Sequence, residues 1–206
     1  MTAPQGFVAA GVCAGIRRSH ADLALVRSAT PAVGAAMFTR NQIPAAPVVV
    51  SKAHLARAEP QAVVVNSGVA NAATGVQGEL DAVATATEAA RLLGLDAEQV
   101  LVLSTGVIGV PLPLEKVTAG LARAVRALSE DGGPDAAQAI LTTDTRPKQA
   151  LVARDGFVVG GMAKGAGMIH PALATMLAVL TTDYPLTSYE AETFLRPAVE
   201  DSFNRI

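Results

Sequence analysis

The chain has 206 residues, half of them hydrophobic but only 3% aromatic, so one ample core must be built mainly from Ala, Val, Leu and Ile. A formal net charge of −2, without a polybasic cluster, disfavours a nucleic-acid partner, which needs grouped Lys and Arg to displace counterions. The single cysteine, Cys13, rules out an internal disulfide, no apolar run is long enough to span a bilayer, and "MTAPQGFVAA" carries no secretory pattern, so a cytoplasmic globular protein is expected.

In chain order, "DLALVR" (22–27), "AAMF" (35–38) and "PVVV" (47–50) are short β-leaning runs, and "KAHLARA" (52–58) suits one or two helical turns. "QAVVVNSG" reads as an apolar strand that breaks into a polar turn. From about Glu79 to Leu93 a helix is predicted with Leu80, Val83, Ala90 and Leu93 on its apolar side and Gly94 as its stop. "QVLVLSTG" (99–106) is a second strand ending in a polar turn. Val117, Leu121, Val125 and Leu128 recur at helical steps from Leu114 onward. "DGGPD" (131–135) is a loop, with Pro134 starting a helix. "QALVAR" (149–154) and "GFVVGG" (156–161) form a hairpin about Asp155-Gly156, and "LTSYEAETFLRPAVEDSF" is a last helix that Pro197 bends or divides. Alternating strands and helices mixed with hairpins indicate a mixed α/β (α+β) layered domain rather than a sandwich or a bundle.

The polar turns "NSGVANAATG" (66–75) and "STGVIG" (104–109) each follow a strand. Singly, each reads as an ordinary Gly/Asn/Ser turn. Their recurrence also suits backbone amides aimed at an anion or an oxyanion. "LTTDTRPK" (141–148) reads as helix termination, since Thr and Asp bond local backbone and Pro147 discourages continuation. His20, His54 and His170 have no zinc spacing, and there is no GxSxG elbow, P-loop or GxGxxG turn. Thr175, which opens "TMLAVL", is either a packed residue with its hydroxyl on the backbone or a nucleophile; composition does not choose.

Six segments, in order, resemble the ornithine acetyltransferase family, the bifunctional glutamate N-acetyltransferases of arginine biosynthesis. They are "GFVAAGVCAGIR" (6–17), "AAMFTRNQIPAAPV" (35–48), "NSGVANAATG" (66–75), "STGVIG" (104–109), "AILTTDTRPK" (139–148) and "GGMAKGAGMIHPALATMLAVLTTD" (160–183). The last is the most specific. Departures are mild: Val69 and Ala73 in the Asn-rich turn, and Arg17 where a lysine is common.

The resemblance implies a layered sheet-and-helix fold of the N-terminal-nucleophile type, of the ornithine acetyltransferase and DmpA-like kind. It implies self-cleavage between Ala174 and Thr175, after which Thr175 is the acyl-accepting nucleophile. Thr105 and Gly106 would form the oxyanion hole, and Thr142, Lys164 and Thr175 would contact substrate. The substrates would be N-acetylornithine and glutamate, with no cofactor, no metal, and acetyl-CoA as a co-substrate in some members. Self-cleavage would give an α/β hetero-oligomer, with no nucleic acid or membrane as partner.

The family continues past residue 206, so the expectation is a C-terminally truncated, incomplete single domain over 1–206. Residues 1–174 would be its first chain and 175–206 the start of its second. A related amidase or aminopeptidase, in which water deacylates the threonine, is one alternative. An inactive remnant is the other.

Overall fold

The computed structural model describes residues 1–166 and 176–205. Four strands, β1 (Phe7–Val12), β2 (Leu23–Ser28), β3 (Ala62–Val69) and β4 (Val100–Val107), lie in that order in one sheet. They pair antiparallel except for β3 and β4, which are parallel. Strand periodicity divides the side chains between two cores. Leu23 and Leu25 of β2 join one, and Ala24 and Val26 join the other.

The first core lies under three helices, α1 (Ala46–Leu55), α2 (Gly75–Leu93) and α3 (Leu114–Ala127). The second lies under α4 (Gly133–Ala139) and a second sheet of β5 (Lys148–Arg154), β6 (Phe157–Lys164) and β7 (Leu177–Thr182), all antiparallel. Met162 of β6 is its deepest contribution from that sheet, with Leu177 and Val179 of β7 beside it. A final helix, α5 (Ser188–Glu200), has no buried residue and is capped by Thr187, which accepts from the Glu190 amide. The mixed, layered α/β class expected from the sequence is the observed one.

Several local expectations hold. Gly94 ends α2 at φ 68°, and Asp155-Gly156 turns the β5–β6 hairpin with both residues at positive φ. Others fail. Residues 47–50 are the first turns of α1, not a strand: Pro47 sits at its start, and Ala46, Val50 and His54 recur at four-residue steps on its buried side. The β preference of three valines is overridden by that packing. No strand forms over 35–38. Helix α2 starts four residues earlier than expected, and of its expected apolar side only Ala90 and Leu93 are buried. Leu80 and Val83 are exposed, while Ala82, Ala86, Ala89 and Ala90 are buried. The helix lies too close to its neighbours for larger side chains, so alanines form the seam. Helix α5 runs undivided through Pro197.

Close approach also fixes α4 against β1. The Ala9 and Ser129 backbones exchange two hydrogen bonds of 3.0 Å, and a Cβ on Gly11 would fall 1.9 Å from the Asp135 carbonyl oxygen. Replacing Gly11 with Ala should therefore cost roughly 1–3 kcal/mol of unfolding free energy through overpacking. Urea titration would register this as a lower midpoint at unchanged slope.

Candidate active site

The parallel strands β3 and β4 end side by side, and the carboxyl ends of parallel strands are where open α/β sheets bind ligands. Asn66 lies opposite Ser104, Ser67 opposite Thr105, and Gly68 opposite Gly106. Most polar side chains here serve the fold. Ser104 Oγ donates to Asn66 Oδ1 at 2.5 Å, Asn66 Nδ2 donates to the Val69 carbonyl, and Ser67 Oγ donates to the Ala139 carbonyl. In the following turn, Asn71 is fully buried, takes Thr74 Oγ1 on its Oδ1 and donates to the Gly78 carbonyl. Asn66, Ser67 and Ser104, expected in turns, still lie within β3 and β4, whereas Asn71 and Thr74 hold the turn itself.

Thr105 is different. Its side chain is buried, and the one hydrogen-bond partner found for Oγ1 among the described residues is Lys164 Nζ, which donates at 3.0 Å. The two residues are far apart in sequence and meet because Lys164 is the last residue of β6. The strand's two-residue repeat places Met162 and Lys164 toward the second core, and Met162 fills it while Lys164 reaches β4. Gly106 adopts φ 135°, and a Cβ there would lie 2.2 Å from the Gly68 carbonyl carbon, so only glycine fits.

Burial pushes the Lys164 ammonium below the usual lysine range; the Asp144 carboxylate opposes that shift, and Lys148 adds to it. Asp144 corrects the reading of 141–148 as plain helix termination. Its side chain has no exposed surface and accepts from Lys148 Nζ, from the Gly165 amide at 2.8 Å and from the Thr142 amide at 3.5 Å. Burial alone would raise the Asp144 carboxyl, but the Lys148 ammonium and the two amides outweigh it and hold it below the ordinary value. Thr142, half-buried, is thereby tied to the segment that carries Lys164.

A second buried carboxylate supports the rim. Asp22 accepts from the amides of Ala14, Gly15 and Arg17. Arg17 then donates to the Leu141 carbonyl at 2.8 Å and lies against Gly68. Asp22 precedes a hydrophobic strand and gave no signal in the sequence.

Thr105, Gly106, Thr142 and Lys164 are thus gathered around the ends of β4 and β6. Thr175, Ala174 and His170 lie outside the described residues. His54 is buried with Nδ1 on the Val100 carbonyl, and His20 is exposed. Among the described residues no group of three His, Cys, Asp or Glu could hold a metal ion, and no helix is long and apolar enough to cross a membrane. A cavity of about 250 Å³ lined by Thr74, Gln77 and Asp81 lies at the start of α2 and includes none of Thr105, Thr142 or Lys164.

Comparison with known proteins gives a consistent picture. A model of the ArgJ family matches residues 8–206. The arginine biosynthesis bifunctional protein ArgJ of Symbiobacterium thermophilum is 50% identical over 213 residues, covering 100% of this chain and 53% of that protein. Its counterpart in Streptomyces avermitilis is 51% identical over 208 residues, again covering all of this chain and 54% of the relative. The chain therefore spans about half the length of the curated relatives it matches. Among solved structures, ornithine acetyltransferase complexed with ornithine, from Mycobacterium tuberculosis, superposes with a TM-score of 0.81 at 49% identity, covering 84% of this chain and 95% of that one. The ArgJ protein of Bacillus halodurans superposes with a TM-score of 0.76 at 38% identity, covering 85% of this chain and 93% of that one.

The depressed Asp144 carboxyl has a consequence for stability. A carboxylate lowered by folding stabilises the native state above its unfolded pKa, about 3.9, and that contribution is lost as pH falls through the lower native value. The gap in unfolding free energy between the wild type and Asp144→Asn should therefore be widest near neutrality and narrow steadily below about pH 4. Chemical denaturation across that range is the measurement; a gap that stays constant would contradict it.

Proposed function

This chain belongs to the ArgJ family, and on that premise we propose that it is the first half of a self-processing acetyltransferase. Joined to the second half that its relatives carry, it moves an acetyl group from N-acetylornithine to glutamate in arginine biosynthesis. The observation that carries this reading is the hydrogen bond between Lys164 and Thr105 beside Gly106. Two residues to which the family resemblance gives the oxyanion hole and one to which it gives a substrate contact meet at one spot, at the end of a parallel strand pair.

The chemistry follows from what a threonine lacks. Its hydroxyl is a poor nucleophile and needs an adjacent base. Cleavage of the Ala174–Thr175 bond creates that base in place, because an α-amino group titrates near about 7.7–8.0, close to working pH. The amine takes the hydroxyl proton as Thr175 Oγ1 attacks the acetyl carbonyl. The tetrahedral oxyanion accepts hydrogen bonds from Thr105, through its hydroxyl or its amide, and from the Gly106 amide. Its collapse breaks the amide bond, and the departing ornithine nitrogen takes a proton. Glutamate's amine then attacks the ester on Thr175 and regenerates the hydroxyl. The exchange requires no cofactor, and acetyl-CoA is an alternative acetyl donor.

Lys164, with Thr142 nearby, supplies positive charge for a substrate carboxylate or for the oxyanion. The protein works in the cytoplasm, as an α/β hetero-oligomer of its two cleavage products.

Strand β7 begins at Leu177, which pairs with Lys164, so the strand that follows the proposed junction runs alongside the site.

Expressed with the second half of its relatives, the wild type should appear in intact mass spectra as two polypeptides, the first ending at Ala174. Thr175→Ala should remain one polypeptide and form no acetyl adduct. Thr105→Val should lose on the order of 10²–10³ in kcat, the usual cost of an oxyanion donor. Equal processing of the wild type and Thr175→Ala would refute the nucleophile assignment. Release of free acetate in place of acetylglutamate would replace the transferase with a hydrolase.

A further inference from the structure

The Thr105 hydroxyl can act as an oxyanion donor only if its single proton points toward substrate. A threonine hydroxyl has one proton and two lone pairs, whereas an ammonium has three protons and no acceptor. A charged Lys164 can therefore only donate to Thr105 Oγ1, as the 3.0 Å contact allows, and the hydroxyl proton must go elsewhere. A neutral Lys164 amine could instead accept that proton and turn Thr105 away from the substrate. The charge state of one buried lysine thus sets the direction of the hydroxyl.

The structure places one carboxylate where it governs both the position and the charge of that lysine. Asp144 accepts from the amide of Gly165, the residue after Lys164, and from Lys148 Nζ at the start of β5. Lys148 lies opposite Ala163 in the β5–β6 pairing, so Asp144 holds both strands at the level of Lys164. The same carboxylate takes the Thr142 amide.

We propose that Asp144 is a positioning residue: it seats Lys164 against Thr105 so that the ammonium occupies a lone pair of Oγ1 and the hydroxyl proton is left for the oxyanion. The inference rests on the acyl-transfer reading above, and it adds a residue to which that reading gives no role.

Electrostatics supports the geometry. Among the described residues, Asp144 and Lys148 are the charged groups whose fields reach Lys164, the first favouring its ammonium and the second opposing it. Burial also opposes it. Removing Asp144 leaves burial and Lys148 unopposed, so Lys164 loses its proton at lower pH. Removing Lys148 has the reverse sign.

The test needs no turnover. In the 206-residue chain labelled with ¹³C at lysine Cε, the Lys164 signal is assigned by its absence in Lys164→Arg and followed against pH. Asp144→Asn should move its midpoint down and Lys148→Met should move it up. Midpoints that stay put, or that move the same way in both variants, overturn the proposal. Should Asp144→Asn fold poorly, the double variant Asp144→Asn/Lys148→Met, which removes both members of the ion pair, is compared with Lys148→Met: its midpoint should be the lower of the two, and equal midpoints overturn the proposal.

In the extended protein, Asp144→Asn should lower kcat by as much as about a hundredfold, near the lower end of a lost oxyanion donor, with a smaller change in KM. The alkaline limb of its kcat profile should move to lower pH. Loss confined to KM, or a pH profile unchanged from wild type, would also overturn the role. Failure of the transferase reading looks different: no acetyl transfer by the extended wild type, while the two lysine midpoints still move in opposite directions.

Discussion

Two glycines facing each other decide whether the site exists. Gly68 and Gly106 are in register at the ends of β3 and β4, and a methyl group on Gly106 would overlap the Gly68 carbonyl. Any side chain there would push the strand ends apart. Thr105 precedes Gly106, so the same separation would carry its hydroxyl away from Lys164. The register shift just after Gly68 lets the chain leave the sheet into the next turn without breaking the contact. A backbone distance thus controls a side-chain hydrogen bond supplied by a different sheet.

Around that contact the structure buries more charge than the core needs. Asp22 is fully buried, Lys164 nearly so, and the Asp144 side chain has no exposed surface. Removing an ion from water costs several kcal/mol, and each hydrogen bond to a charged group returns only about 1.5–3 kcal/mol. Asp22 takes three backbone amides. Asp144 takes two amides and an ammonium. These carboxylates stabilise loops that have no regular structure of their own, 13–17 and 141–147, and bring both against the strand ends. Lys164 is less completely satisfied, with one hydrogen bond found from its ammonium among the described residues. Its positive charge is only partly offset, which is the condition under which a developing negative charge would be welcomed.

Much of this was legible in the sequence. The strands ending in Asn-Ser-Gly and Ser-Thr-Gly, the α3 helix and the Asp155-Gly156 hairpin all follow from local periodicity and turn chemistry. The misreadings of α1 and α2 share one cause. The valines of α1 and the alanines of α2 take their places from tertiary packing, and a window of ten residues cannot express how close a neighbouring helix lies. The second sheet's role was hidden for the same reason. "GFVVGG" announces a hairpin, but nothing in it says that Lys164, at the strand's far end, will meet Thr105. The short motifs identified Thr105, Gly106, Thr142 and Lys164 through the family they resemble, whereas Asp144 and Asp22 became visible only once the loops were seen to converge on them.

That convergence bears on how catalysis and folding share the same interactions. A hydrogen bond that serves a neutral carbonyl and an oxyanion equally would accelerate nothing, because only interactions strengthened in the transition state lower the barrier. In the proposed reaction, the hydrogen bond from the Thr105 hydroxyl, polarised by a buried ammonium, would strengthen as negative charge grows on the acceptor. The cost of burying that ammonium falls on the folded state before any substrate arrives, and it is borne by the apolar core around Met162 and by the Asp144 carboxylate. The second core therefore does more than join two sheets: it holds a charge in a place that water would otherwise claim, which is the organisation the proposed reaction would need for an anion that exists only in passing.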